Sequence, residues 1–429
     1  MNAVPRAAER RQVTTDTEDR AAPLPKPRVS KPRRAAPADA VRPTRAEINL
    51  EALRHNLFAV KRRAGRAKVW PVLKADAYGH GGPAVARTLE RAGADGFCVA
   101  LFEEAVELRD AGIVVPILVM GGYYGDAHEE LLDRRLTPVV YDIAQVEGLA
   151  RAMRGADLPP VAVHLKVDTG MARLGLTMAE LPAFADRLVK WKDVRVSGLM
   201  THLACADAMT SSETHEQLRL FDEATKVLAE RGIVAEVRHA ANTAALLRGD
   251  ALLDAVRPGI GIFGGAPTSG AKGNDKGFGL RPVMRVRTEV VSVRSLAPGA
   301  SVGYGGLWRA GRPSLIATIP MGYADGLLRQ LGGGSRPATT AAPAGVGDVL
   351  IRGKRAPFVG AISMDLSMVD VTDIAGVAPG DEAVVLGAQE GPGGKDAITV
   401  EEVAERAGVI PWEVMTSISR RVPRFYREP

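Results

Sequence analysis

The chain has 429 residues, of which 46% are apolar, with two cysteines and a formal net charge of +6. This length allows two domains that each bury a core, and two isolated thiols exclude a disulfide framework and favour a reducing compartment. The sequence contains neither a run of ~18 apolar residues that could form a membrane helix nor an apolar secretory signal at its start. We therefore expect a cytoplasmic protein without a membrane span.

The net positive charge is confined to the N-terminal segment. Residues 1–45 contain eleven Lys or Arg, five Asp or Glu and seven prolines, while the charges of the remainder cancel. Because large apolar side chains are almost absent, this segment cannot offset the entropy of ordering. We predict a disordered basic tail over residues 1–42. Such an arm can bind nucleic acid through counterion release, but a dispensable extension or an early start codon is the favoured interpretation.

Eight short apolar runs follow, alternating with amphipathic helical stretches. The runs are VWPVLK (69–74), GFCVA (96–100), PILVM (116–120), TPVVY (137–141), VAVHLKV (161–167), VRVSGLM (194–200), EVRHA (236–240) and DAVRP (254–258). Near-continuous apolar strands are typical of a parallel sheet buried on both faces. Eight βα units predict an α/β fold, a closed (β/α)8 barrel of the TIM type over residues 43–280. An open doubly wound sheet is the alternative.

The pattern changes after the Gly-rich connection 264–279. Runs such as VMRVRTEVVSVRSL (283–296) and EAVVLGA (382–388) are separated by Pro, Gly and Asp, with little helical periodicity. One short helix is expected at 399–409, where Thr399 and Glu402 can form a capping box. We predict a C-terminal, mainly-β domain over residues 281–429.

Lys74 ends the first apolar run, in the stretch VWPVLKADAYGHGG. The active site of a (β/α)8 barrel is built at the carboxyl ends of its strands. A lysine amine there is partly desolvated, which lowers its pKa from ~10.4 and makes it a usable nucleophile and base. Lys74 is therefore a candidate for a Schiff base, whereas a lysine that only extends to solvent is the alternative.

Other polar residues follow the ends of later strands: Lys166, Asp168, Arg173, His202, Asn242 and Thr243. The last strand ends in the glycine-bearing loop VRPGIGIFG (256–264). A barrel commonly holds a phosphate at such a loop, beside a hydroxyl at a helix N-terminus. A lysine, a phosphate cradle and an arginine together outline a pyridoxal phosphate site.

The sequence resembles the bacterial alanine racemases, from about residue 43 to residue 429. The motifs that carry the resemblance occur in the family's order: VLKADAYGHG, HLKVDTGMARLG, THLACAD, HAANTAA, RPGIGIFG, SVGYGG, GYADG and AISMDLSMVDV. The resemblance implies an isomerase that interconverts L-alanine and D-alanine with pyridoxal 5'-phosphate and supplies D-alanine for peptidoglycan. A racemase of serine or of a larger amino acid stays open as the closest alternative.

The resemblance also implies the cofactor site. Lys74 would form the Schiff base, and His202 would lie beside the pyridine ring. The phosphate would be held by Tyr78, Thr243, Gly259 and Ile260, with Asn242 in the same cofactor site. Arg257 would face the ring nitrogen, and because a guanidinium cannot accept a proton, that nitrogen would stay unprotonated. A pyridine ring with an unprotonated nitrogen withdraws electrons less strongly from the substrate, and this favours racemisation over transamination.

Racemisation needs one acid/base group on each face of Cα. The resemblance implies Lys74 for one face and Tyr304, from the β domain, for the other. A phenol is a poor base at neutral pH, so Tyr304 would depend on a positive hydrogen-bond network from His202 and Arg257. Tyr304 lies far from Lys74 in the sequence and outside the barrel, which agrees with the family's head-to-tail homodimer, in which active sites are shared.

For substrate binding, the resemblance implies that Arg173 holds the carboxylate, with Met364, Asp365 and Tyr323 from the β domain nearby. Lys166 matches a lysine that many family members carry as a carbamate, which would orient Arg173. An unmodified Lys166 paired with Asp168 is the alternative. We predict no metal site.

Two positions depart from the family pattern. Arg420 stands where several members have a tyrosine that contacts the phosphate or narrows the entrance, and Phe263 replaces a frequent tyrosine.

Two other classes of protein are less favoured. A non-catalytic pyridoxal phosphate carrier would lack residues 281–429, and a decarboxylase of similar architecture usually has an acidic group where Arg257 stands. The sequence leaves open a housekeeping or a specialised pathway.

Overall fold

A computed structural model describes residues 40–125, 127–154, 160–208, 212–267, 278–333 and 345–428. Most of the predicted tail, residues 1–39, lies outside this described part. Part of the Gly-rich connection, residues 268–277, also lies outside it. None of the helices in the described ranges is long and apolar enough to cross a membrane.

The strands and helices are numbered in chain order. The strands are β1 (Arg45–Asn49), β2 (Lys68–Val69), β3 (Phe97–Val99), β4 (Ile117–Val119), β5 (Thr137–Val140), β6 (Val161–Lys166), β7 (Val194–Met200), β8 (Val237–His239), β9 (Ala255–Val256), β10 (Met284–Glu289), β11 (Ser292–Leu296), β12 (Ser301–Val302), β13 (Trp308–Arg309), β14 (Ser314–Ile319), β15 (Asp348–Ile351), β16 (Lys354–Pro357), β17 (Ser367–Asp370), β18 (Glu382–Gly391), β19 (Gly394–Ile398) and β20 (Arg424–Arg427). The helices are α1 (Leu50–Ala64), α2 (Lys74–Gly79), α3 (Gly82–Arg91), α4 (Phe102–Asp110), α5 (His128–Asp133), α6 (Ile143–Met153), α7 (Leu181–Leu188), α8 (Glu213–Ala229), α9 (Thr243–Arg248), α10 (Val400–Ala407) and α11 (Pro411–Ser417).

Within the described residues, eight parallel strands form one sheet in the order β2-β9-β8-β7-β6-β5-β4-β3. A parallel bridge between Val72 and Cys98 joins the first and second barrel strands, and the Leu73 amide donates to the Cys98 carbonyl at 2.8 Å. These contacts close the sheet into a ring. The predicted (β/α)8 barrel is confirmed, and the open doubly wound sheet is wrong.

The barrel strands and helices bury the apolar faces that their sequences predict. Phe97, Ile117 and Val139 are fully buried in the strands, and each such side chain contributes about 1.5–3 kcal/mol of burial. In α3, Val85 and Leu89 lie one turn apart and are both fully buried. Burial from both sides explains why the strands lack polar alternation, and it leaves the strand ends as the place for polar side chains.

The second domain is built on mainly antiparallel sheets. In the described part of the chain, the largest has the order β16-β15-β18-β10-β1-β20, with β19 paired to β18. Smaller sheets have the orders β11-β14-β17 and β12-β13. The predicted helix at 399–409 corresponds to α10, whose N-cap is Thr399, with its side chain accepting from the Glu402 amide. A mainly-β domain therefore follows the barrel, as expected.

One strand within the predicted barrel domain, residues 43–280, belongs to a sheet of the second domain instead. β1 lies in the large second sheet, antiparallel to β10 and parallel to β20. Its Glu47 is buried and forms ion pairs with Arg285 at 3.1 Å, Arg287 at 2.7 Å and Arg427 at 2.8 Å. The short, charged RAEIN sequence carries no signal for this sheet, because its partners are supplied by residues far along the chain.

Candidate active site

The chain forms a left-handed turn directly after the first barrel strand. In α2, the φ angles of Ala75, Asp76, Ala77 and Tyr78 lie between 53° and 55°. An L-residue in this conformation costs roughly 1–2 kcal/mol. Such strain persists only where surrounding contacts impose it, and it is concentrated at functional sites. The turn begins at Lys74, the predicted catalytic lysine.

Contacts from four directions hold this turn. Glu104 accepts hydrogen bonds from the amides of Ala75 at 2.6 Å and Ala100 at 2.9 Å. His80 Nδ1 lies 3.0 Å from the Ala77 carbonyl and 2.9 Å from the Tyr78 carbonyl. Both partners are acceptors, so Nδ1 carries the proton and donates. Asp76 accepts from the Gly82 amide at 2.7 Å, and Arg424 donates to the Gly79 carbonyl at 2.9 Å.

The structure brings together five cationic or basic residues that the sequence placed at the ends of four barrel strands: Lys74, Lys166, Arg173, His202 and Arg257. The pKa of His202 is lowered to about 3. Burial is the main cause, and the charges of Arg257, Arg173, Lys166 and Lys74 add to it. Burial and Arg173 also lower the pKa of Lys74. We call this group the cation cluster. Its excess positive charge suits ligands that carry carboxylate or phosphate groups.

Of the two lysines in the cation cluster, Lys166 is buried and Lys74 is exposed. Burial, Arg173 and Arg257 lower its pKa to about 8, although Asp168 acts in the opposite direction. Asp168 Oδ1 accepts hydrogen bonds from the amides of Gly170, Met171 and Ala172 at 2.8–3.2 Å. Asp168 therefore fixes the loop that carries Arg173.

A second cluster surrounds the loop after β9. Thr243 Oγ1 accepts hydrogen bonds from the amides of Gly259 at 3.0 Å and Gly261 at 3.4 Å. A Cβ atom at Gly259 would overlap the Tyr78 hydroxyl, so only glycine allows this approach. Asn242 caps α9 by accepting from the Ala245 amide at 3.1 Å. Ile260 is buried in the 3-10 turn that follows Gly259. Two hydroxyls and backbone amides thus converge in a small region.

Arg257 is buried in the barrel at the end of β9. Its Nη2 donates to the carbonyls of Thr201 at 2.8 Å and Ala240 at 3.1 Å. Its Nη1 lies 2.5 Å from His239 Nδ1. Burial lowers the pKa of Arg257 to about 10, which still leaves the guanidinium charged at neutral pH.

Sequence reasoning missed residues that support the site: Glu104, His80, His239 and His164. A signal existed for the last two, because HLK in β6 and RHA in β8 each place a histidine inside an otherwise apolar barrel strand. Glu104 stands at the third position of α4, where a glutamate normally caps its own helix. Its bond to Ala75 could not be inferred from that pattern.

The predicted β-domain residues are all exposed, and we call them together the tyrosine face: Tyr304, Tyr323, Met364 and Asp365. The Tyr323 amide donates to the Ser363 carbonyl at 3.0 Å, which fixes it beside Met364. Tyr304 is 77% exposed, Met364 51% and Tyr323 40%. Asp365 pairs with Arg421 at 2.7 Å. Among the described residues, no hydrogen bond or ion pair joins Tyr304 to the cation cluster.

The two departures from the family pattern have different surroundings. Phe263 stacks on His80 with ring centroids 4.4 Å apart and contacts Tyr78 at 5.1 Å. This is packing against the left-handed turn. Arg420 is exposed and lies close enough to Arg424 to contribute to its lowered pKa, for which burial is the main cause.

Fold and site define a barrel protein with a lysine of lowered pKa after the first strand and further positively charged groups around the other strand ends. Family models agree in detail: the alanine racemase N-terminal domain matches residues 48–267, and the alanine racemase C-terminal domain matches residues 283–426. The chain belongs to the alanine racemase family.

Individual relatives cover nearly the whole chain. An alanine racemase of Sorangium cellulosum (strain So ce56) is 55% identical over 396 residues, which span 91% of this chain and 100% of that protein. The solved alanine racemase of Streptomyces coelicolor A3(2) is 37% identical, with a TM-score of 0.81 over 91% of this chain and 99% of that one. The Bacillus anthracis alanine racemase, solved with bound L-Ala-P, is 31% identical, with a TM-score of 0.81 over 91% and 96%.

Proposed function

We propose that the chain interconverts L-alanine and D-alanine in the cytoplasm, with pyridoxal 5'-phosphate as cofactor, and supplies D-alanine for peptidoglycan. The cation cluster carries this proposal, because four positive groups act on the half-buried His202 at the barrel mouth. A cofactor phosphate and a substrate carboxylate supply the negative charge that such a cluster requires. Two free cysteines, Cys98 and Cys205, support a reducing compartment.

The residues present fit pyridoxal phosphate. Lys74 offers an amine with a lowered pKa, and the region around Thr243 offers hydroxyls and backbone amides. The close approach of the Tyr78 hydroxyl to Gly259 forms a cradle that a Cβ atom would fill. In this proposal Tyr78, Thr243, Gly259 and Ile260 hold the phosphate, with Asn242 fixing the helix beneath it.

When bound, pyridoxal phosphate condenses with amino groups and withdraws electrons from the substrate Cα, which makes the Cα proton removable. Lys74 Nζ takes or returns this proton on one face, and Tyr304 Oη does so on the other. Arg257 would face the ring nitrogen, and it has no lone pair with which to accept a proton. His202, neutral because of its low pKa, would lie beside the ring without adding charge.

Arg173 binds the substrate carboxylate through its planar fork of donors, and the Met364 backbone assists. The neutral Lys166 amine adds to the carbon of carbon dioxide, a C–O π bond breaks, and one amine proton leaves to solvent, which gives a carbamate. This converts a cation beside Arg173 into an anion and removes a repulsion. The lowered pKa of Lys166 supports this step, because only the neutral amine can react.

The proposal includes a homodimer in which the tyrosine face of one protomer covers the barrel mouth of the other. The exposure of Tyr304, Tyr323 and Met364 in the single chain supports this arrangement. Asp365, held by Arg421, would enter the same site. Two tyrosine side chains at the entrance would leave room for a small substrate, which favours alanine over serine or larger amino acids.

Racemisation of a panel of L-amino acids tests the proposal. We expect the largest kcat/KM for alanine, a lower value for serine and little turnover of branched or aromatic amino acids. The Lys74→Ala protein, prepared in the same way, is the control for contaminating racemase. A larger kcat/KM for serine would reassign the substrate. Carbon dioxide release in place of inversion would identify a decarboxylase.

A further inference from the structure

The hydrogen bond between Arg257 and His239 fixes which nitrogen of this histidine carries a proton. Arg257 Nη1 lies 2.5 Å from His239 Nδ1, and a guanidinium has five N–H donors and no acceptor. His239 Nδ1 must therefore accept. A neutral imidazole with an accepting Nδ1 carries its proton on Nε2.

The same logic passes to a second histidine. His239 Nε2 lies 2.8 Å from His164 Nδ1. Since His239 Nε2 carries the proton, it donates, and His164 Nδ1 accepts. His164 is then also an Nε2–H tautomer. The donor direction runs from Arg257 through His239 to His164 and follows entirely from the first bond. We call these three residues the Arg-His-His chain.

Both imidazoles are held in place and kept neutral. His239 is 0% exposed and His164 5%, and burial followed by the charge of Arg257 lowers the pKa of each. Trp70 packs against both rings, with centroids 5.3 Å from His239 and 5.5 Å from His164. Gly198 gives His164 its space, because a Cβ there would lie 2.5 Å from the imidazole ring.

Three hydrogen bonds between described residues use three of the five N–H groups of Arg257. Nη2 uses both of its hydrogens on the Thr201 and Ala240 carbonyls, and Nη1 uses one on His239. No hydrogen bond between described residues uses the Nε–H or the second Nη1–H, so these donors can bind a ligand. The three hydrogen bonds fix the plane of the guanidinium, and they therefore also fix the direction in which the other two N–H groups point.

A neutral acceptor differs in its effect from a carboxylate. An Asp or Glu in the place of His239 would pair with Arg257 and cancel most of its field at the barrel mouth. An imidazole orients the guanidinium and leaves its full positive charge. The arrangement thus combines rigid orientation with an uncompensated cation.

We propose that His239 and His164 are positioning residues that hold Arg257 as a fixed, fully charged donor toward the ring nitrogen of the cofactor. This inference rests on the proposed function, because it assumes that pyridoxal phosphate occupies the barrel mouth. The Arg-His-His chain itself is a property of the protein and can be measured without turnover.

The first test is the tautomeric state of the histidines, read by NMR of the 15N-histidine-labelled holoenzyme at neutral pH. We expect Nε2–H tautomers for His239 and His164. His80 is an internal control of opposite sign, because its Nδ1 donates to two carbonyls. Assignment uses the single variants His239→Asn and His164→Asn. An Nδ1–H tautomer or an imidazolium at either residue of the chain would overturn the inference.

The second test compares His239→Phe with His239→Asn. Asparagine places an oxygen acceptor near the position of Nδ1, whereas phenylalanine keeps a ring but has no acceptor. We expect phenylalanine to lower kcat for alanine by about tenfold, the equivalent of one charge-assisted hydrogen bond, and to raise the ratio of keto acid formed to alanine racemised. KM should change little. Asparagine should restore both quantities to within about twofold.

The outcomes separate this inference from the proposed function. Equal effects of phenylalanine and asparagine would reduce His239 to a packing residue and overturn the positioning role. A wild-type enzyme that shows the expected tautomers but no racemisation would overturn the proposed function instead. If His239→Phe does not fold, the tautomers of the wild type and the kinetics of His239→Asn still decide the matter, since asparagine should be nearly as active as the wild type.

Discussion

The barrel mouth and the tyrosine face contain the two halves of the proposed site in very different states. Residues at the barrel mouth are fixed by one another: Arg257 has three partners within the barrel, and Glu104 and His80 hold the turn after Lys74. Tyr304 on the tyrosine face is 77% exposed. A single chain therefore orders Arg257 and the turn after Lys74, although the side chains of Lys74 and Arg173 are exposed. The proposed second base has no such fixed surroundings and is the more exposed residue in the comparison.

This difference indicates how the proposed reaction would depend on assembly. Groups that bind and polarise need fixed directions, which a closed barrel supplies. The second base must act on the opposite face of a planar centre, and in the proposed dimer a second surface that covers the mouth supplies it. The predictions below test each half of the proposed site by substitution or deletion, from the largest expected effect to the smallest.

Replacement of Lys74 by alanine should abolish the function of the barrel half. Racemisation should fall by at least about 10⁴-fold, because a proton carrier and the covalent attachment point are both removed. The visible absorption of the bound cofactor should also change from that of the wild type. Lys68→Ala is the matched control, since Lys68 is exposed at the other end of the same barrel strand. An unchanged absorption spectrum in Lys74→Ala would exclude Lys74 as the attachment point.

Tyr304→Phe should remove the proton carrier of the tyrosine face and leave the barrel half intact. Racemisation should fall about 10²–10⁴-fold in both directions. Exchange of the α-proton with solvent deuterium should persist for D-alanine, whose proton we expect to face Lys74, and nearly vanish for L-alanine. Tyr124→Phe is the control, because Tyr124 is also largely exposed. Equal slowing of exchange for both enantiomers would contradict a two-base mechanism.

Mixed dimers show whether the two halves come from different protomers. When Lys74→Ala and Tyr304→Phe chains exchange subunits, one site of each heterodimer should contain both wild-type residues. Activity should return to about half that of a wild-type dimer, because the two bases meet across the interface. Subunit exchange is verified with differently tagged chains. Verified heterodimers without recovered activity would place Tyr304 in its own subunit's site or outside the reaction.

The pKa of Lys166, lowered to about 8, predicts a pH-dependent modification within the barrel half. The neutral amine predominates above this pKa, so carbamate formation should increase as pH rises through about 8 and decline below it. The same sign applies to stability: the unmodified folded state binds fewer protons at Lys166 than the unfolded chain between pH 8 and 10.5, so its stability rises with pH there.

A 13C carbonate NMR titration measures the carbamate directly. Lys166→Arg is the control, because it keeps the charge but cannot form the adduct under these conditions. A carbamate signal that is absent throughout, or unaffected by Lys166→Arg, would favour the alternative of an unmodified Lys166 near Asp168.

Truncation of the N-terminus tests how the start of the described chain supports the tyrosine face. Arg42 pairs at 2.7 Å with Asp325, which is fully buried and also lies 3.5 Å from Arg421. Thr44 bonds to Thr288 at 2.8 Å within the second domain. Deletion of residues 1–45 should lower the free energy of unfolding by about 2–4 kcal/mol, because a buried carboxylate loses a partner. Deletion of residues 1–39 is the control and should change it little. Equal denaturant midpoints for both deletions would show that Arg42 and Thr44 contribute nothing.

The sequence predicts the barrel half better than its supporting contacts. The sequence places Lys74, Lys166 and Arg257 at the barrel mouth, because each of them lies at the end of an apolar run. All such ends lie at one rim of a parallel barrel. His239 and His164 could not be assigned a partner, since their bond joins strands separated by β7. The place of β1 was missed for a similar reason, because its partners lie hundreds of residues away.

The smallest expected effect concerns the left-handed turn that fixes the barrel half. Ala75 has a φ of 55° and is exposed, so Ala75→Gly removes the unfavourable contact of Cβ without creating a cavity. Relief of roughly 1–2 kcal/mol is opposed by the roughly 0.5–1 kcal/mol that glycine costs through unfolded-state entropy. The net result should be a gain of about 0.5–1 kcal/mol in the free energy of unfolding. Ala183→Gly, at an exposed position of the regular helix α7, should instead lose about 1 kcal/mol. Urea unfolding of the two variants measures this difference in sign. A loss of stability in Ala75→Gly equal to that in Ala183→Gly would show that the turn carries no strain, and that Lys74 is positioned by Glu104 and His80 alone.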